Sequence, residues 1–127
     1  MGQAQAEIDI KGSPDKIWAL VSDFGGLGGW MPGIESCELA GDDRVLKMMG
    51  MEITERLYEK DDAARSITYG IVGGPVPVQK HRATITVAGQ GDAAHVTWAV
   101  DCDDALTDMM RGTYEQGLAA LKAHVES

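Results

Sequence analysis

The 127-residue sequence predicts a single α+β domain in which a seven-stranded antiparallel sheet curls around one long C-terminal helix. Three observations predict it. Apolar and polar residues alternate in seven separate stretches, Gly- and Asp-rich turns divide them, and the last segment carries apolar residues at helical spacing.

Ala4 to Ile10 alternates as a first strand, after which "SPDKIWALV" starts a helix running from Pro14 to about Val21. Ser13 stands at the N-cap, Pro14 in the first turn and Asp15 at the positive end of the dipole. Period-2 segments follow at residues 34–40, 44–49, 51–60, 66–72, 79–88 and 94–101, separated by "GDD", Gly50, "KDDAA", "GGPVP" and "GQGD". They read as a six-strand antiparallel meander. The final segment, Leu106 to Val125, places Met109, Met110, Thr113, Tyr114, Gly117, Leu118 and Leu121 on helical spacing. A sheet with one apolar face has only this helix to cover it. The space between a sheet and a single gripped helix can hold a small molecule.

With 11 Lys and Arg against 20 Asp and Glu, the net charge of −9 repels phosphate backbones and anionic membranes. Nucleic acid is not an expected partner. No stretch approaches the roughly 20 apolar residues of a membrane span, and no export signal is visible, so no membrane insertion and a cytoplasmic location are expected. Met1-Gly2 opens like a myristoylation signal, but Ala6 stands where Ser or Thr is needed. Cys37 and Cys102 read as unpaired apolar fillers.

Motifs exclude several chemistries. His81, His95 and His124 are too scattered for metal-ligand spacing, and no C-x-x-C accompanies them, so neither a metal nor another cofactor is expected. The stretch "SDFGGLGGWMPGIESCE" lacks the G-K-[ST] ending of a phosphate-binding loop and the G-x-G-x-x-G spacing, and no serine elbow occurs.

Strand alternation identifies the polar residues that interrupt the inner face. Glu35 shares a face with Cys37 and Leu39, Glu55 with Met51, Ile53 and Leu57, and His81 with Ala83, Ile85 and Val87. Each has a plainer reading: a one-residue slip would turn Glu35 to solvent, Glu55 could be structurally paired, and His81 could be a satisfied core histidine. Ile67, Tyr69 and Ile71 form one apolar set, and Val96, Trp98 and Val100 another. Tyr69, Trp98, Met109 and Met110 are individually packing residues and jointly candidate walls of a pocket.

The segments "SPDKIW", "DFGGLGGWMPGIESCE", "ERLYEKDDAARSITYGIVGGPVPVQKHRATITV", "VTW" and "YEQGLAALK" together resemble the START-like helix-grip superfamily, in particular its bacterial polyketide cyclase/dehydrase-like (SRPBCC) members. The resemblance spans almost the whole chain. It implies a helix-grip fold with a second short helix before strand 2, so that "FGGLGGW" becomes a corner packing Trp30 near a cavity and "GGPVP", with Val76 and Pro77, a lid. A glycine-rich turn with no role beyond geometry is the alternative. The same segments are similar to plant abscisic-acid receptors. That comparison sets Glu35 on a cavity lysine, Glu55 on a cavity glutamate and His81 on a pocket tyrosine, with Tyr69, Ile71, Trp98, Met109, Thr113 and Gly117 on cavity-facing positions. The receptors' gate is replaced here by "MMGM" and their lysine by an acid, so the resemblance does not extend to sensing an acidic hormone.

These residues point to cofactor-free general acid/base chemistry, of cyclase, dehydratase, isomerase or lyase type, on a small hydrophobic aromatic or polyketide-like molecule. Glu55 is the expected principal acid or base, Glu35 its complement, and His81 a proton shuttle or hydrogen-bond donor. The substrate-binding set is Tyr69, Ile71, Trp98, Trp30, Met109, Thr113, Gly117, Val76 and Pro77. A carrier or sensor that only orients such a ligand is the alternative, and a subunit of a larger assembly a third reading. A homodimer is compatible with each.

Overall fold

The computed structural model describes residues 2–75 and 78–127, and Val76 and Pro77 of the expected lid lie outside the described residues. Seven strands form one antiparallel sheet: β1 (Gly2–Lys11), β2 (Ile34–Ala40), β3 (Asp43–Met48), β4 (Met51–Asp61), β5 (Ser66–Gly73), β6 (His81–Gln90) and β7 (Ala93–Cys102). The meander runs β2 to β7 in chain order, and β1 closes it by pairing with β7 from Gly2 opposite Cys102 to Lys11 opposite Ala93. Helix α1 (Pro14–Val21) and a 3-10 segment (Phe24–Gly29) separate β1 from β2, and α2 (Thr107–Glu126) ends the chain after a 3-10 turn at Asp104–Leu106. This is the helix-grip fold.

Alternation explains the sheet. On β6, Ala83, Ile85 and Val87 are buried, and on β7 Ala94, Val96, Trp98, Val100 and Cys102 are buried, each with a more exposed residue between. On α2 the buried Met110, Tyr114, Gly117, Leu118 and Leu121 fall on one helical stripe. Both cysteines are free.

Helix α2 packs chiefly on β1 and β7. Gly117 sets that approach: a β-carbon there would come within 2.7 Å of Met31 Sδ and 2.8 Å of a Trp98 ring carbon. The C-terminal half of α2 therefore seals the core through Leu118 and Leu121, while Met109, Met110, Thr113 and Tyr114 face a space bounded by β3, β4 and β5. At that end Met49 and Gly50, both at positive φ (52° and 74°), make the two-residue turn between β3 and β4.

Two local expectations change. Ser13 occupies the N-cap of α1 but makes no side-chain capping bond, only its carbonyl accepting from Ile17 N at 3.1 Å. On β2 the register shifts between Ile34 and Ser36, a β-bulge that absorbs Glu35. The bulge resets the alternation: Ile34 lines the inner space, Cys37 is half-buried, and Glu35 turns out to solvent, where its carboxylate accepts from Gly50 N at 3.4 Å.

Candidate functional site

A cavity of about 290 Å³ lies between the first half of α2, the 3-10 segment and strands β2 to β7. Its lining is mostly apolar, with Leu27, Ile34, Leu46, Ile53 and Ile71, and six of the chain's seven methionines reach it: Met31, Met48, Met49, Met51, Met109 and Met110. Unbranched thioether side chains adapt to different ligand shapes. Met49 (79% exposed) and Met109 (51% exposed) mark the mouth.

The charged feature of the wall is an ion pair. Arg44 on β3 and Glu55 on β4 are cross-strand partners, and both are buried. Arg44 Nε and Nη2 donate to the same carboxylate oxygen, Glu55 Oε1, at 2.8 and 2.7 Å, and Nη1 donates to the Phe24 carbonyl at 3.0 Å. The guanidinium lies 4.0 Å from the centre of the Phe24 ring and 4.9 Å from that of Tyr69. Among the described residues Glu55 Oε2 has no hydrogen-bond partner, yet the sole buried, unpartnered side-chain N or O there is Trp30 Nε1, so Oε2 is accessible from the cavity. Burial pushes the Glu55 carboxyl above its ordinary value, and the attraction of Arg44 only partly pulls it back.

The second feature is a chain of aromatic polar groups. Ile71 N donates to His81 Nδ1 at 3.2 Å, His81 Nε2 stands 3.2 Å from Tyr114 Oη, and Trp98 Nε1 donates to Tyr69 Oη at 3.0 Å. Trp98 and Tyr114 stack with ring centres 4.3 Å apart and planes 6° from parallel. Burial lowers the His81 pKa to about 4 and raises both tyrosine pKa values well above normal, so all three are neutral at physiological pH.

Of the residues expected at a site, Glu55, His81, Tyr69, Ile71, Trp98, Met109 and Thr113 line this cavity. The Thr113 hydroxyl is engaged with the Met109 carbonyl at 2.9 Å. Glu35 does not line it, because the bulge turns it outward. Trp30 and Gly117 do not line it either. Trp30 is buried against Trp98 with ring centres 5.9 Å apart, and Gly117 lies beneath Met31 and Trp98, whose side chains take the cavity wall.

Sequence reasoning missed Arg44 and Tyr114. Arg44 alternates with Leu46 and Met48, which is a usable signal, but its place beside the "GDD" turn reads as a solvated cation. Tyr114 reads as one apolar member of the helical stripe, with nothing local to indicate that its hydroxyl meets His81. Among the described residues, no group of three or more His, Cys, Asp and Glu side chains is arranged to hold a metal. Nor, among these residues, is any helix long and apolar enough to cross a membrane.

A sheet gripping one helix over an apolar cavity with a few buried polar groups defines a helix-grip, START-like protein. The sequence matches the family described as polyketide cyclase/dehydrase and lipid transport over residues 1–126, and the chain belongs to that family. Among solved structures, it is similar to the protein XoxI of Bacillus cereus, with 30% identity and a TM-score of 0.93 over 100% of this chain and 97% of that one. It is also similar to a START superfamily protein of Mycobacterium smegmatis (17% identity, TM-score 0.85, 98% of this chain and 97% of that one). A third similar structure is norcoclaurine synthase of Thalictrum flavum in complex with dopamine and hydroxybenzaldehyde (19% identity, TM-score 0.78, 98% and 86%). None of the curated proteins matches the sequence significantly.

Proposed function

We propose that the cavity binds a small, uncharged, mostly apolar aromatic or short polyketide-like carbonyl compound and that Glu55 moves a proton on it without a cofactor. The carrying observation is the Glu55 carboxylate: Arg44 holds one oxygen, and the other has no partner among the described residues and faces a mostly apolar chamber. A carboxylate held in one orientation, with a raised pKa, suits proton transfer next to a carbonyl. Isomerisation, dehydration, cyclisation and retro-aldol cleavage share that step. Size supports a small ligand, since about 290 Å³ is at the lower end of small-molecule sites. Norcoclaurine synthase, a distant structural relative, holds hydroxybenzaldehyde, a small aromatic carbonyl compound.

Exchange of the methyl protons of acetophenone for deuterium, followed by NMR, tests this reading. The protein is expected to accelerate exchange, and Glu55→Gln to slow it by about 10²-fold while still binding the ketone. Equal rates in the two proteins, with both folded and binding, would sink the proposal. One observation favours the carrier or sensor reading: Glu55 is already ion-paired, as in a purely structural role. Ketone binding with no exchange at any pH would select that reading.

A further inference from the structure

We infer that Met49 and Met109 are oxidation sites at the mouth of the cavity, where conversion of their thioethers to sulfoxides by a hydroperoxide shuts out apolar ligands and enzymatic reduction readmits them. This deepens the proposed function by adding its regulation, and it rests on an apolar ligand in the cavity but not on any turnover.

Met49 is a residue that folding does not explain. It holds a positive φ of 52° in the two-residue turn between β3 and β4, a conformation that Gly, Asn and Asp adopt with less strain. Its side chain is 79% exposed, so burial does not offset that strain. A long apolar side chain kept at a strained and solvated position points to a role outside stability. What the side chain does reach is the cavity.

The wall is graded from the mouth inward. Among the described lining residues only Met49, from the hairpin, and Met109, from α2, are exposed. Met48 and Met51, paired across the hairpin, are half-buried, and Met31 and Met110 keep only 8% and 6% of their exposure. A hydroperoxide arriving from water therefore meets a thioether first on either side of the mouth. The thiols do not compete. Cys102 is fully buried and Cys37 half-buried, and burial pushes both thiols above their ordinary pKa, leaving little of the thiolate that a peroxide attacks.

In the oxidation a lone pair on Sδ attacks the outer oxygen of the hydroperoxide, so that an S–O bond forms and the O–O bond breaks. The proton of the attacked oxygen passes to the departing one, which leaves as water or an alcohol. The sulfur loses two electrons and the peroxide gains them. An apolar lip becomes a pair of strongly polar acceptors. A ligand seated against them strips their water and, being apolar, returns no hydrogen bond.

Folded protein exposed to hydrogen peroxide, then digested and read by peptide mass spectrometry, is expected to gain oxygen at Met49 and Met109 at least about 10-fold faster than at Met31 and Met110. Protein oxidised at the mouth and still folded by circular dichroism is expected to bind toluene and acetophenone at least about 10-fold more weakly. The two methionine sulfoxide reductases, one for each epimer, should restore binding with dithiothreitol as reductant. Met49→Leu/Met109→Leu is read against itself: whatever its starting affinity, peroxide should leave it unchanged. Oxidation that begins at Met31 or Met110, oxidation at the mouth that leaves both affinities intact, peroxide-induced loss of binding in the Leu variant, or failure of both probes to bind untreated protein would overturn the inference. Toluene binding that peroxide abolishes, with neither acetophenone binding nor proton exchange, supports it and sinks only the carbonyl and acid/base reading.

Discussion

Arg44→Met asks what it costs to leave Glu55 alone in the cavity wall. The substitution removes two bonds to Glu55 Oε1, at 2.8 and 2.7 Å, and the 3.0 Å bond to the Phe24 carbonyl. Methionine refills much of the space beside the Phe24 ring, so the loss is chiefly of charge rather than packing. Breaking one side of a buried ion pair costs about 3 to 5 kcal/mol, against a total stability of about 5 to 15 kcal/mol for a domain. The pH dependence follows from the raised Glu55 carboxyl. Protons bind it more tightly in the folded state, so its stabilising contribution is complete below the unfolded value of 4.5 and declines as pH rises through the folded value. Without Arg44 the folded value climbs further. The deficit of Arg44→Met relative to wild type is therefore largest near about pH 8 and shrinks near about pH 5. Urea denaturation at both pH values, followed by tryptophan fluorescence, measures it, and the double variant Arg44→Met/Glu55→Leu should recover most of the loss. A deficit below about 1 kcal/mol at high pH, or one that acid leaves unchanged, would refute the reasoning.

Three further outcomes are expected. With its pKa lowered from 6.5 to about 4, His81 contributes stability that is complete above 6.5 and lost as pH falls through about 4. Its ring protons should show no NMR titration between about pH 7 and 5.5, and His81→Gln should flatten the acid decline in the urea midpoint. Gly117→Ala improves helix propensity by about 1 kcal/mol, but its β-carbon meets Met31 and Trp98, and overpacking of about 1 to 3 kcal/mol should prevail as a net loss in urea melts. Met49→Asn should raise stability by roughly 0.5 to 1 kcal/mol in the same assay, because Asn tolerates the positive φ of this two-residue turn better than Met.

Alternation alone placed Glu55 correctly. It is a property of each strand, and β4 keeps its alternation from Met51 through Leu57, so Ile53 and Glu55 are buried as the pattern requires. It failed at Glu35 because a bulge is decided by how β2 meets β3, and Ile34 keeps its inward place only if the next residue is expelled. Trp30 and Gly117 were rightly read as interior and wrongly as wall. Depth behind Trp98 and Met31 depends on three elements packing together, which a local pattern does not encode.

The strands, the closing helix and the presence of a polar minority on the inner face were legible in the chain, because period-2 and period-3.6 burial are local consequences of backbone geometry. The partners of that minority were not. Arg44 meets Glu55 only because β3 and β4 pair in a register that sets them opposite each other. Tyr114 meets His81 across 33 positions of sequence only because Gly117 lets α2 settle against Trp98. Whether a buried charge is matched and which partner a buried hydroxyl meets is decided by distances between elements, and those exist only once the sheet has closed on the helix.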